Sequence, residues 1–158
     1  MDFRYMQVLF LESDLKQAEL VAELRKSLEG PFIVVKPELG IFPRFLKYCL
    51  FSTYKSFQEE RAPAKDFALS WLCFVACTPK IDKALALTAP RKNVFAVVSE
   101  SPAHVTARIG REIRFPSSAR ERAKAEEEVA REYDVSKAAL ENYCVEDLLI
   151  EKAAVSLL

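Results

Sequence analysis

Residues 67–77, FALSWLCFVAC, would be apolar on nearly every side of a helix, and this limits what the rest of the chain can do. A surface helix needs only an apolar stripe, whereas a helix without a polar face has to be enclosed by other elements. Asp66 stands at its N-cap position, and Phe67, Ala68, Leu69, Trp71, Leu72, Phe74 and Val75 form its body. Thr78-Pro79 then opens a second helix, with Thr78 as cap and Pro79 at the first helical position, where a missing N–H costs nothing. Its expected buried stripe is Ile81, Ala84, Leu85 and Leu87. After the basic loop Pro90-Arg91-Lys92-Asn93, the run Val94-Phe95-Ala96-Val97-Val98 reads as a buried strand.

The remaining segments supply the cover. Residues 6–11 (MQVLFL) predict a first strand. Ser13 caps a helix over 14–28 that ends at Gly30-Pro31, with Leu20, Val21, Leu24 and Leu28 on one face. Residues 32–35 (FIVV) predict a second strand, unbroken and hence central and covered on both sides. Pro37 and Gly40 make a turn, and Pro43 begins a helix through Phe45, Leu46, Tyr48, Cys49, Leu50 and Tyr54. Polar residues 58–64 form a loop. Ser101-Pro102 starts a short helix ended by Gly110, and residues 112–115 alternate like an edge strand. Ser118 and Glu121 form a capping box for a charged helix to Tyr133, and Ser136 caps a further short helix. Residues 145–158 (VEDLLIEKAAVSLL) close the chain as a helix. The expected fold is mixed α/β: a single domain over residues 1–158, with one sheet of about four strands flanked by helices and a helical C-terminus.

Composition narrows the function. Twenty-three basic residues balance twenty-three acidic ones, so the chain has no overall polyanion-binding signature and any nucleic-acid contact needs a local basic patch. Cys49, Cys73, Cys77 and Cys144 lie in apolar helical runs and read as free buried thiols of a reducing cytosol. Cys73 and Cys77 are spaced for neither a disulfide nor a zinc site. The amino terminus shows no secretory signal pattern, and the longest uncharged apolar run is shorter than the ~20 residues a membrane span needs. These features predict a soluble cytoplasmic protein. The three glycines are far apart and cradle no phosphate, and the G-x-S-x-G, H-E-x-x-H and C-x-x-C patterns are absent. No catalytic residue, metal ligand or cofactor is assigned. The alternative is a small enzyme whose site is assembled near His104, the only histidine, with Glu112.

Two segments read as binding surfaces. The closing helix has a wide apolar face; it either only packs on the sheet or also offers Leu148, Leu149 and Lys152 to a partner, a second copy of the chain included. The second is a sparse basic set, Lys47, Lys55, Arg61, Lys65 and Lys80, with Arg91 and Lys92 apart from it. Lys65 adjoins a helix N-terminus, where amide groups and the dipole favour phosphate. Tyr54 and Phe57 could stack on unpaired bases, or could be core aromatics beside ordinary surface lysines.

The order buried helix, break, I-x-x-A-[LI], loop, N-V-x-x-[VI] resembles the small kinase-binding subunit of the KEOPS complex, the TPRKB-like family. Ala64, Phe67, Ile81, Ala84, Leu85 and Asn93-Val94 carry the match. The strand Ile33-Val34-Val35 and the ending Ile150-Glu151-Lys152-Ala153-Ala154-Val155 extend it from about Ile33 to the C-terminus. The chain departs from the family pattern at Ser70, where a glutamate is common, and at Glu59 and Glu60, which dilute the basic segment. The resemblance implies a non-catalytic protein that binds and supports the atypical kinase/ATPase subunit. It also implies help in recruiting tRNA by its 3′ CCA end for threonylcarbamoyladenosine modification. The implied kinase contacts are Leu148, Leu149, Lys152 and Val155, and the implied tRNA contacts are Lys47, Lys55, Arg61, Lys65 and Lys80. No membrane partner is implied.

Overall fold

The computed structural model describes residues 6–100 and 108–157. Its strands are β1 (Gln7–Glu12), β2 (Phe32–Val35), β3 (Val94–Ser99) and β4 (Arg111–Glu112). Its helices are α1 (Gln17–Ser27), α2 (Pro37–Gly40), α3 (Pro43–Gln58), α4 (Phe67–Val75), α5 (Ile81–Thr88), α6 (Ala119–Glu132), α7 (Lys137–Leu140) and α8 (Val145–Ser156). The strands form one sheet in the order β2-β3-β1-β4, antiparallel throughout. The mixed α/β class, the four strands and the helical C-terminus are as the sequence predicts.

Side-chain alternation along the strands sorts the interior into two layers. Ile33, Val35, Ala96 and Val98 face the larger core, where Leu46, Leu50, Trp71, Val75, Val129 and Leu149 bring in α3, α4, α6 and α8. Leu11, Phe32, Val34, Phe95 and Val97 face the other way, against Leu20 and Leu24 of α1 and Leu28 just after it. The enclosed helix is α4: every residue from Ser70 to Val75 is buried, and Asp66 caps it by accepting from the Leu69 N–H at 3.0 Å. The Trp71 indole N–H donates to the Leu46 carbonyl at 3.3 Å, fixing α4 along α3. At Gly40 a Cβ would stand 2.7 Å from the Phe10 ring, so the missing side chain lets α2 lie against the sheet.

Several expectations need correction. The second strand is at an edge of the sheet and is not central. All four of its residues are buried because both faces are covered and its surroundings are closed: the Gln17 side chain donates to the Val34 carbonyl at 3.2 Å, and the Lys36 N–H donates to Thr88 at the end of α5 at 2.8 Å. An unbroken apolar strand reports two covered faces, which is a different matter from two neighbouring strands. Ser13 does not cap α1, which begins at Gln17; its hydroxyl donates to the Ile109 carbonyl at 2.5 Å and tethers the end of β1. Thr78 likewise closes a turn with the Lys80 N–H at 3.3 Å, and α5 begins at Ile81. The edge strand predicted over 112–115 is the two-residue β4, extended by one bond from the Ile113 N–H to Phe10 at 2.9 Å. The predicted helix at Ser101-Pro102 lies outside the described residues.

Candidate functional site

Exposed apolar residues stand on α8 and at the start of α5. Leu149 and Ala153, one turn apart, are buried in the large core. Leu149 is therefore a core residue, and the expectation that it meets a partner is corrected: at 0% exposure it has no surface to offer. At about 100° per residue, Leu148, Lys152 and Val155 fall on an adjacent arc of α8. Val155 is 65% exposed, and Leu148 and Lys152 are half-buried. The Lys152 ammonium donates to the Tyr133 carbonyl, while the Tyr133 hydroxyl donates to the Val75 carbonyl at 2.7 Å. Tyr133 thus ties α8 to the last turn of α4. Cys77, next along the chain, lies close enough for the Lys152 charge to act on its thiol.

A few residues on, α5 leaves Ile81 and Leu85 37% and 43% exposed. The predicted stripe of α5 is thus half wrong. Ala84 packs with Cys73 and Ala76 of the α4 segment, Thr88 is buried, and Leu87 is partly buried. Small residues let α5 approach α4 closely, and that rotation turns Ile81 and Leu85 outward.

The other end of α8 is clamped to α3. The Glu146 carboxylate accepts from the Arg44 and Phe45 N–H groups at 3.0 and 3.3 Å. It therefore satisfies first-turn amides of α3, whose own N-cap, Phe42, has no capping side chain. The Arg44 guanidinium also bonds Glu146 at 3.0 Å and Asp147 at 3.2 Å. Nothing in the spacing of these residues announces this contact, because the partners are about a hundred positions apart.

The basic set does not form one patch. Lys55, Arg61 and Lys65 lie where α3 turns into α4. Lys47 is eight residues back along α3, roughly 12 Å, and Lys80 follows the opposite end of α4. Glu59 approaches Lys55 at 4.0 Å and pairs with Arg61. Among the described residues Lys47, Lys65 and Lys80 are exposed and form no ion pair. The α4 N-terminus beside Lys65 already holds the Asp66 carboxylate, so a phosphate would have to displace its own chain's cap. Tyr54 and Phe57 are half-buried and engaged with their own chain. Their rings pack on Phe67 at 4.6 and 5.5 Å, and the Tyr54 hydroxyl bonds Glu100 at 2.9 Å. Burial, with the Glu100 carboxylate, pushes the Tyr54 hydroxyl upward and keeps it protonated. Of the two readings, the packing of these half-buried rings on one another favours the core-aromatic one. Ser70 latches the same loop, donating to the Ala64 carbonyl at 2.8 Å and accepting from its N–H at 3.0 Å.

A groove of about 470 Å³ runs between α6 and the sheet. At its floor the Lys36 ammonium, with 4% of its side chain exposed, pairs with Glu132, whose other oxygen takes the Arg91 guanidinium. Arg91 also approaches Glu128 at 3.7 Å. Burial alone would raise the Glu132 carboxyl, but Lys36 and Arg91 outweigh it and hold the group below its ordinary value. Sequence reasoning missed this centre. Its one signal is a lysine placed directly after four buried strand residues.

Thiol chemistry finds little support. Burial raises Cys49, Cys73 and Cys77, the last to about 12 against the pull of Lys152, and a nucleophilic cysteine needs the opposite shift. Cys144, expected to be buried, is exposed at the start of α8. Among the described residues no group of three His, Cys, Asp or Glu side chains is placed to hold a metal ion, and no helix is long and apolar enough to cross a membrane. His104 lies outside the described residues; Glu112 is exposed on β4. No protein-family model matches the chain, and no curated protein matches it.

Proposed function

We propose that this chain is a non-catalytic, cytoplasmic subunit of a KEOPS-type complex. In this reading it binds and supports the atypical kinase/ATPase subunit and helps present the 3′ CCA end of tRNA for threonylcarbamoyladenosine modification. The observation that carries the reading is the division within α5. Ala84 is used by the fold, whereas Ile81 and Leu85, which share the I-x-x-A-[LI] resemblance with it, stand exposed and are explained by no contact of comparable burial. Leu148, Lys152 and Val155 of α8 offer a second set, with Leu149 behind them in the core. The tRNA contact falls to Lys55, Arg61 and Lys65 at the α3–α4 junction, with Lys47 and Lys80 further away. This is a weaker cationic site than the set would be without Glu59.

The test is co-purification from native extract, followed by titration calorimetry with any atypical kinase/ATPase subunit recovered. Truncating a central apolar anchor costs 2 kcal/mol or more, about thirtyfold in Kd. Ile81→Glu and Leu85→Glu should therefore weaken binding at least that much with an unchanged far-ultraviolet spectrum. No association of the wild-type chain, or equal binding by both variants, refutes the reading. Exposed apolar residues on short helices also suit a second copy of the chain, and a dimer in light scattering that Leu85→Glu dissolves would favour the homo-oligomeric scaffold.

A further inference from the structure

We infer that the groove between α6 and the sheet binds a small amphipathic anion, a carboxylate or phosphate head carried on an apolar body. The site uses none of the residues assigned above to a kinase or to tRNA. Its volume, about 470 Å³, falls within the roughly 300–1,000 Å³ of small-molecule sites. One wall is apolar and half-buried: Val94 from the start of β3, and Ile113 and Phe115 beyond β4, with the fully buried Val129 of α6 behind them. Phe115 is held in place by the Phe10 ring at 5.4 Å, so the wall is part of the packed structure.

The charges lining the groove divide into a closed set and an open one. Lys36 and Arg91 are matched by Glu132 and Glu128, which leaves the floor neutral. Lys92, Arg114 and Lys124 remain, all exposed, and among the described residues none of them forms an ion pair or a side-chain hydrogen bond. Facing them are Glu38 and Glu121. Glu121 takes the Ser117 hydroxyl at 2.5 Å and sits in the first turn of α6, where the helix dipole already stabilises a carboxylate. Three open cations against two carboxylates, one of them engaged, favour an anionic head. The apolar wall favours a body that inorganic phosphate lacks.

The experiment is titration of the full-length chain with octyl phosphate, octanoate, inorganic phosphate and octyltrimethylammonium. Binding is followed by calorimetry and by amide shifts in a nitrogen-15 spectrum. The expected result is one saturable site for at least one of the two amphipathic anions, with the largest shifts at Val94, Ile113 and Phe115. The better of octyl phosphate and octanoate names the head group. Inorganic phosphate and the quaternary ammonium should each bind at least about tenfold more weakly. Arg114→Glu with Lys124→Glu should cost at least about tenfold in affinity, since each replaces an attraction by a repulsion. Arg114→Lys with Lys124→Arg should keep binding and serves as the folding control. No saturable binding of either amphipathic anion, equal binding of the quaternary ammonium or of inorganic phosphate, unchanged affinity in the charge-reversed variant, or shifts centred elsewhere would each overturn the inference.

Discussion

Glu132→Gln is the most informative single change in this molecule. It preserves volume and removes one charge from a carboxylate whose two oxygens serve different cations. The Arg91 side chain is 66% exposed, so its half of the arrangement is screened by water and is worth less than about 1 kcal/mol. The weight falls on Lys36. With 4% of its side chain exposed against 14% for Glu132, the variant leaves an ammonium almost out of water beside a neutral amide. Removing one partner of a buried pair costs about 3–5 kcal/mol. The partial exposure of Glu132, and Glu128 and Glu38 in the same groove, put the expected loss near the low end, about 3 kcal/mol. For a chain of this length that lowers Tm by about 6–12 °C. Lys36→Met in the same chain deletes the orphaned charge, and the double variant should return to within about 1 kcal/mol of the natural protein. Urea unfolding can be followed by the fluorescence of Trp71, the only tryptophan and fully buried. A loss below about 1 kcal/mol for Glu132→Gln, or a double variant as unstable as the two single changes summed, would refute the reasoning.

Three further outcomes follow from the same contacts. Because the Glu132 carboxyl is held below its ordinary value of 4.5, its stabilising contribution is complete above that pH and is lost as pH falls through the folded value; Glu132→Gln should flatten the acid limb of a stability–pH curve, and an unchanged limb argues against the pair. Glu146→Ala removes the carboxylate that caps α3 from a distance and should cost about 0.5–2 kcal/mol, whereas Asp147→Ala, which loses an exposed arm of the Arg44 contact, a bond with Cys144 and a first-turn charge of α8, should cost less by urea unfolding. Gly40→Ala places a methyl group 2.7 Å from the Phe10 ring and 2.9 Å from the Ala96 Cβ and should cost about 1–3 kcal/mol; a neutral effect in thermal unfolding would mean that α2 can lift from the sheet without penalty.

Local chemistry was legible where it is sufficient by itself. Asp66, Ser118 and Ser136 each accept from the N–H three residues on, as their positions predict, because a cap is decided within one turn. Ser13 and Thr78 carry the same local signal and act otherwise. Ser13 finds a carbonyl 96 positions away, a competitor no window of sequence contains. The Lys36–Glu132 pair and the Glu146 cap were illegible for the same reason. Tyr54 and Phe57 were legible as aromatic surface that could stack, but not as rings already occupied within the fold, since their partner Phe67 belongs to the next helix.

The two short helices show why periodicity overstates a buried face. On a wheel of about 100° per residue, Leu87, Ala84 and Thr88 occupy one part of the apolar arc of α5, and Ile81 and Leu85 continue it on one side. The arc is about 160° wide, yet the contacts around Ala84, with Cys73 and Ala76, and around Leu87 cover only about half of it. On α8 the same geometry buries Leu149 and Ala153 and leaves Val155, with Leu148 beside it, on the flank. A sequence shows the whole arc; only the partner element decides how much of it is used. The excess is a cost that folding of this chain does not recover, because the exposed parts of Ile81 and Leu85 forgo roughly 0.5–1 kcal/mol each in burial and Val155 roughly 1–2 kcal/mol. Apolar residues at these positions gain their advantage only when something covers them, which is why α5 and α8 are where a partner should be sought first.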